Sequence, residues 1–374
     1  MGDKLKQKMR ELLSIADVKI NGKRPWDIQI HNEDFYQRVL SQGALGLGES
    51  YMDGWWDVKN LDEFFNHILK AELDRKVKTS SFLLQTVKAI VMNPQRKSKA
   101  FEIGEHHYDI GNELYKIMLD KRLTYTCGYW KNSKNLDSAQ EAKLDLVCRK
   151  IGLKPGMTVL DIGCGWGSFA KYAAEKYRAK VTGITVSKAQ VELGKKLCKG
   201  LPVKFKLMDY RDVTGKYDRV VSLGMIEHVG YKNYRKYMEI VNNVLKDGGL
   251  FLLHTIGSNI SVKSNNAWTE KYIFPNSMVP SASQLAKAYE GLFVMEDWHN
   301  FGKDYDKTLM EWHKNFNKNW KKLNEKHKEY DERFKRMWNY YLLSSAGGFR
   351  SRKSQLWQIV LSKNGILNGY NSIR

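Results

Sequence analysis

Cysteine and proline are scarce in this chain, and long apolar runs are missing altogether. The four cysteines, Cys127, Cys148, Cys164 and Cys198, are widely spaced and form no C-x-x-C pair. That argues against a disulfide framework or a zinc ribbon. His106 and His107 are adjacent rather than four residues apart, so no metal site is expected of them. Only 6 prolines, set against 42% hydrophobic and 12% aromatic residues, exclude a collagenous, low-complexity or disordered chain. No apolar stretch approaches the roughly 18 residues of a transmembrane helix; the longest are pieces such as Leu250-Phe251-Leu252-Leu253. Met1-Gly2-Asp3-Lys4-Leu5-Lys6 carries charge where a secretory signal needs an apolar core, and Lys6 stands where myristoylation of Gly2 requires Ser or Thr. A soluble, cytoplasmic protein is expected.

What the chain does have is positive charge. Against 41 Asp+Glu stand 62 Lys+Arg, a formal net charge of +21. Such an excess points to an anionic partner, either nucleic acid or a phospholipid surface, and composition alone does not choose. The 374 residues suffice for about two domains.

Residues 1–100 read as helical. Leu5, Met9, Leu12 and Leu13 recur at helical spacing, and similar patterns follow at 61–69 and 82–92. Asn93-Pro94-Gln95-Arg96-Lys97-Ser98-Lys99 breaks the pattern and reads as a linker, so the boundary is set between a first domain, 1–100, and a second, 101–374. From about residue 150 strands alternate with helices: 158–162, 180–185, 203–208, 218–223 and 250–255, with later strands at 292–296 and 356–361. This is the pattern of a doubly wound α/β fold with a mostly parallel sheet. A long basic, aromatic helical stretch, 307–341, reads as an insertion covering one end of the sheet.

The most informative run is Val159-Leu160-Asp161-Ile162-Gly163-Cys164-Gly165-Trp166-Gly167. Its glycines follow a strand and open a helix, where backbone N–H groups can approach a ligand. A nicotinamide loop, G-x-G-x-x-G, would need a third glycine at Ser168. The spacing D-x-G-x-G-x-G instead resembles the S-adenosyl-L-methionine (AdoMet) loop of class I methyltransferases. By that resemblance Asp161 orients the methionine ammonium, while Gly163, Gly165 and Gly167 let the cofactor close to the chain. The second strand ends without the acid that usually binds ribose, offering Thr185, Ser187 and Gln190 instead; Asp209-Tyr210-Arg211 after the third strand would meet the adenine.

An ordered set of motifs then resembles the bacterial cyclopropane-fatty-acyl-phospholipid synthases over nearly the whole chain. It comprises Gly46-Leu47-Gly48-Glu49-Ser50-Tyr51-Met52-Asp53-Gly54-Trp55-Trp56, His107-Tyr108-Asp109-Ile110-Gly111-Asn112, Tyr125-Thr126-Cys127-Gly128-Tyr129-Trp130 and the glycine loop. Gly224-Met225-Ile226-Glu227-His228-Val229-Gly230, Leu253-His254-Thr255-Ile256-Gly257, Tyr272-Ile273-Phe274-Pro275 and Asp297-Trp298-His299-Asn300-Phe301-Gly302, leading to Asp304-Tyr305-Asp306, follow in order.

The resemblance implies a class I AdoMet-dependent methyltransferase with a Rossmann-like, seven-stranded sheet, preceded by a small helical lipid-binding domain. It implies methyl transfer to the cis double bond of an unsaturated phospholipid acyl chain, followed by closure to a cyclopropane. An alkene is a weak nucleophile, so the sulfonium must be held close and aligned. The carbocation that follows needs aromatic faces, for which Tyr125, Tyr129, Trp130 and Tyr305 are candidates. By resemblance the base is a bound bicarbonate, held by the side chains of Glu227, His254 and Tyr305 and the backbones of Cys127 and Ile256, while Tyr125 and Thr126 join the cofactor residues. The partners implied are unsaturated phospholipid, an anionic membrane surface at the inner face of the cytoplasmic membrane, and a second copy of the chain. Nucleic acid is not expected: no proline is adjacent to another or followed by Cys, so two common nucleic-acid methyltransferase motifs are missing. Alternatives left open are another AdoMet-dependent lipid C-methyltransferase with a branched product and, beyond it, a nucleic-acid methyltransferase.

Overall fold

The structure is a computed structural model that describes residues 2–76 and 111–374. The helical pattern at 82–92, the linker at 93–99 and the motif at 107–110 lie outside the described residues.

The described residues group into two compact units. The first gathers residues 2–76, Lys263–Pro275 and Tyr305–Ser354. It is helical: Gly2–Ile15, Asp34–Gln42, Ala44–Met52, Leu61–Lys70 and Ala267–Tyr272, with a two-stranded antiparallel ladder of β1 (Gln29–Ile30) and β2 (Trp56–Asp57). In the first helix the spacing buries Met9 and Leu13, while Lys6 turns out to Glu33 at 2.8 Å. Trp56 is fully buried, with Tyr51, Phe64 and Phe35 around it at ring separations of 5.0, 5.3 and 6.2 Å.

The stretch expected as an insertion over the sheet is two helices, Lys303–Lys326 and Glu332–Arg350, and from residue 305 onward it groups with the N-terminal segment. Glu332–Arg350 packs on Leu61–Lys70 so closely that a Cβ on Gly347 would lie 2.6 Å from the Asp62 carbonyl oxygen and 2.6 Å from Phe65 Cβ. Arg350 closes the same contact, binding Asp306 through Nε and Nη2 at 3.0 and 2.8 Å and Asp62 through Nη1 at 2.5 Å.

The second unit contains residues 111–262, Asn276–Asp304 and Gln355–Arg374. Its sheet has seven strands: β3 (Thr158–Ile162), β4 (Lys180–Thr185), β5 (Val203–Leu207), β6 (Tyr217–Leu223), β7 (Leu245–Ser258), β8 (Val294–Asn300) and β9 (Ser354–Ser362). They lie in the order β5-β4-β3-β6-β7-β9-β8. Strands β3 to β7 pair in parallel, and β8 pairs antiparallel with β9. This is the α/β class expected, with the first two strands at the expected bounds. β7 is longer than its apolar run: Leu245 pairs with Tyr217, and pairing resumes at Leu250 opposite Arg219, so residues 246–249 bulge opposite Asp218. The strand expected at 250–255 therefore begins earlier, with Asp247-Gly248-Gly249 as an irregularity inside it.

Alternation divides the sheet's side chains between two cores. Leu160, Ile162, Val220, Phe251 and Leu253 belong to one; Val159, Val181, Val221, Leu250, Leu252 and Val360 belong to the other. Leu144, Val147 and Cys148 of the helix Leu136–Lys150 complete the second core. By the period of two, Asp161, His254 and Gln358 fall on this second face. The chain turns to either side after β3, and such a switch point opens a crevice at the carboxyl ends of the strands.

Gly347→Ala should lower unfolding stability by about 1–3 kcal/mol, the usual cost of overpacking, because two rigid helices meet there. Urea denaturation followed by circular dichroism checks it: the midpoint should fall with the slope unchanged.

Candidate active site

The crevice is lined by Thr124, Tyr125, Thr126, Asp161, Gly163, Gly165, Gln190 and Gly224, among others. The glycine loop makes it possible. Gly163, Gly165 and Gly167 have φ of +78°, +55° and +88°, which side chains rarely adopt. A Cβ on Gly165 would meet nothing within 4 Å, so this residue faces open space. Gly167 serves differently: a Cβ there would lie 2.4 Å from the Phe205 ring, so it seats the helix Ser168–Tyr177 and does not line the crevice.

Asp161 is buried, and neither carboxylate oxygen has a hydrogen-bond partner among the described residues. Burial raises its pKa from 3.8 to about 7, opposed by the nearby ammonium of Lys143. Lys143 is itself fully buried, brought down to about 8 by desolvation, and donates to Thr126 Oγ1 at 2.8 Å. One turn earlier, Gln140 donates to the Thr126 carbonyl at 2.7 Å. The helix Leu136–Lys150 thus clamps the Tyr125–Thr126 segment from behind. The sequence reading passed over Gln140 and Lys143. Their signal was register: both stand on the stripe of Leu136, Ala139, Leu144 and Val147, where apolar residues were due.

Of the other cofactor candidates, Gln190 reaches the crevice, and Thr185 and Ser187 hold it there. Thr185 Oγ1 donates to Gln190 Oε1 at 2.7 Å, and Ser187 Oγ accepts from the Gln190 backbone N–H at 3.3 Å. Gln190 Nε2 remains buried without a partner. Asp209, Tyr210 and Arg211 are not among the crevice's lining residues. Asp209 caps its own turn and pairs with Arg211 at 3.0 Å, Arg211 lies over the Tyr210 ring, and the buried Tyr210 hydroxyl has no partner.

A second group adjoins the crevice. Gly224, in its wall, donates its backbone N–H to the His254 carbonyl at 2.8 Å. Glu227 sits on a short turn after β6, and its Oε1 accepts the Ile256 N–H at 2.8 Å, while its buried Oε2 has no partner among the described residues. Burial pushes Glu227 up to about 7. His254 is buried and held well below its usual pKa by desolvation and by the charges of Lys143 and Lys150. Its Nε2 has no partner among the described residues, while Nδ1 meets the Gln358 amide at 3.3 Å. Cys127 is buried, with Sγ turned to the Gly128 carbonyl at 3.1 Å. Tyr129 packs on Phe301 at 5.2 Å, and Phe301 stands 6.0 Å from His254. Tyr305 belongs to the helical unit, buried against Phe349 and Trp312 at 4.6 and 5.9 Å.

Residues 95–359 match the family model described as mycolic acid cyclopropane synthetase. The chain belongs to that family. It is 50% identical over 365 residues to the cyclopropane-fatty-acyl-phospholipid synthase of Escherichia coli (strain K12), covering 97% of this chain and 94% of that one. It is 31% identical over 360 residues to the tuberculostearic acid methyltransferase UfaA1 of Mycobacterium tuberculosis, covering 90% and 83%. Among solved structures, the mycolic acid cyclopropane synthase CmaA1, complexed with SAH and CTAB, superposes with a TM-score of 0.65 at 29% identity, over 70% of this chain and 98% of that one. As a cyclopropane synthetase family member this protein is an AdoMet-dependent enzyme, and its crevice fits the cofactor: the unpartnered Asp161 carboxylate suits an ammonium, and open space at Gly165 admits a chain beside the backbone.

Since only ionised Asp161 attracts an ammonium, AdoMet affinity should rise about tenfold from pH 6 to pH 8 as the group titrates near 7. Without ligand the raised pKa works the other way, weakening the fold as pH rises from about 4 through about 7. Calorimetric titration at the two pH values checks the first statement, and Asp161→Asn should remove the dependence.

Proposed function

We propose that this enzyme adds a methylene bridge across the cis double bond of unsaturated acyl chains in membrane phospholipids, using AdoMet as methyl donor. The observation that carries the proposal is the pair of buried, unpartnered groups, Glu227 Oε2 and His254 Nε2, beside the cofactor crevice. The 50% identity to the Escherichia coli phospholipid enzyme supports the substrate class.

Unpaired polar groups in a buried site cost free energy unless a ligand completes them. A neutral imidazole offering N–H from one side and a carboxylate offering a lone pair from the other suit a small oxyanion that carries its own O–H. Bicarbonate meets that description and, when bound, supplies a weak base for the proton of the newly added methyl. Glu227 and His254 would hold it, with the Cys127 and Ile256 backbones; Tyr305 enters this set by motif resemblance alone. The Ile256 N–H already donates to Glu227, so its contribution is to fix the carboxylate. Loss of a proton beside a carbocation needs placement more than basicity. Phe301 lies next to His254, with Tyr129 packed on Phe301, and the two rings would supply aromatic faces near that point.

The N-terminal domain, 1–100, would bind lipid, together with the basic helices after residue 305. Each Lys or Arg near an anionic surface contributes about 1 kcal/mol, so attachment would be peripheral, at the inner face of the cytoplasmic membrane, and sensitive to salt. Among the described residues no helix is long and apolar enough to cross a membrane. A homodimer is part of the proposal by resemblance to the family.

Methyl-labelled AdoMet with vesicles of mono-unsaturated phospholipid tests the reading. Mass spectrometry of the released fatty acids should find chains heavier by one CH₂ with ring fragments in place of the alkene. A methyl-branched product would keep the fold and cofactor and remove ring closure; label in RNA but not in lipid would overturn the substrate. Glu227→Gln should keep AdoMet affinity within about twofold and lose at least a hundredfold in turnover, as expected for a proton-handling group.

A further inference from the structure

Among the polar groups buried in the second unit, Gln358 stands out. Its strand reads Leu356-Trp357-Gln358-Ile359-Val360-Leu361, and every residue of it is buried. Gln358 is 0% exposed in the centre of an otherwise apolar run. β9 lies beside β7, and Gln358 reaches across to His254, its Nε2 lying 3.3 Å from Nδ1 of the ring. Among the described residues the amide oxygen of Gln358 has no partner, and this contact is the side chain's one hydrogen bond.

We propose that Gln358 is the positioning residue of His254: by donating to Nδ1 it fixes the imidazole as the Nε2–H tautomer and aims that N–H into the site. A neutral imidazole has one proton to place between two nitrogens, and the nitrogen that accepts a hydrogen bond is the one without it. With Nδ1 accepting from the amide, the proton sits on Nε2, the buried nitrogen that has no protein partner. His254 is thereby a donor toward its ligand and not an acceptor, and the ligand must present a lone pair there. The inference deepens the proposed function, which supplies the oxyanion as that ligand, but its geometry belongs to the protein alone. Burying a glutamine in a strand is costly unless its amide is used, and the contact to His254 is the use.

The experiment is nitrogen-15 NMR of the full chain with labelled histidine at pH 7, the His254 signals being identified by their loss in His254→Asn. Two-bond proton–nitrogen correlations distinguish the two neutral tautomers directly. The wild-type ring should show the Nε2–H pattern. Gln358→Leu removes the donor, so the ring should no longer be held wholly as the Nε2–H tautomer, and turnover should fall at least tenfold with the KM for AdoMet unchanged. A simple packing role would not move the ring proton. An Nδ1–H pattern in the wild type would overturn the proposal, a measurement that needs no Gln358 variant to fold; so would a ring still held wholly as Nε2–H in a folded Gln358→Leu. Nε2–H in the wild type together with no ring in the lipid product would uphold the role of Gln358 and sink the functional reading instead.

Discussion

The second unit is organised around a buried carboxylate without a protein partner among the described residues. Neither oxygen of Asp161 takes a hydrogen bond there, and the ammonium of Lys143 is committed to Thr126. A buried carboxylate without a partner resists ionisation, which is why its pKa climbs to about 7. Binding a cation there returns what burial withheld. Lys143 limits the cost without cancelling it: its charge lowers the Asp161 pKa, while its hydrogen bond keeps the ammonium from sealing the carboxylate. A direct Lys143–Asp161 pair would be more stable and would compete with the ligand.

Asp161, His254 and Gln358 share one face at this end of the sheet, while the smaller polar groups of Ser222 and Thr255 are buried on the other. The core containing Leu160, Val220, Phe251 and Leu253 is closed by hydrophobic side chains, whereas the opposite face carries Asp161, His254 and Gln358 at the edge of an apolar patch built from Val159, Val221, Leu252 and Val360. The helix Leu136–Lys150 covers that face and contributes two lysines seven residues apart, each 0% exposed. Lys143 serves the crevice; Lys150 pairs with Asp297 at 3.2 Å and meets His299 Nδ1 at 3.2 Å, and Asp297 also binds Arg374. Both cations hold His254 neutral from a distance, and a neutral ring is the one whose tautomer a neighbouring amide can set.

Much of this was legible in the sequence because it rests on local rules. Strands β3 and β4 follow from apolar runs bounded by turn residues, and the glycine loop announces itself by residues whose positive φ few others tolerate. The partnership of 305–354 with the N-terminal segment was not legible, since nothing local links Gly347 to Asp62 across the whole second unit. The residue types of Thr185 and Ser187 suit a ribose; that they also orient Gln190 depends on side-chain direction, which type alone does not give. Gln140, Lys143 and Gln358 were missed for another reason: they interrupt apolar patterns, and a pattern reading treats an interruption as noise. In a well-packed core such an interruption is a strong signal, because an unused polar group there is expensive.

The choice between a ring and a branch turns on one proton. Methyl transfer to the alkene gives the same carbocation in both cases; the ring forms when the added methyl loses a proton to an acceptor beside it. Membership of the family does not decide this, because a 31% identical relative carries the name of a methyltransferase and a 50% identical one that of a cyclopropane synthase. The deciding feature has to be local: whether something near the methyl can take the proton and be held there without water. In this chain Glu227 is pinned by the Ile256 N–H, His254 is pinned by Gln358, and each keeps one buried atom unspent. A fixed carboxylate and a fixed imidazole near the cofactor crevice are the local features of this chain on which the proposed ring closure rests.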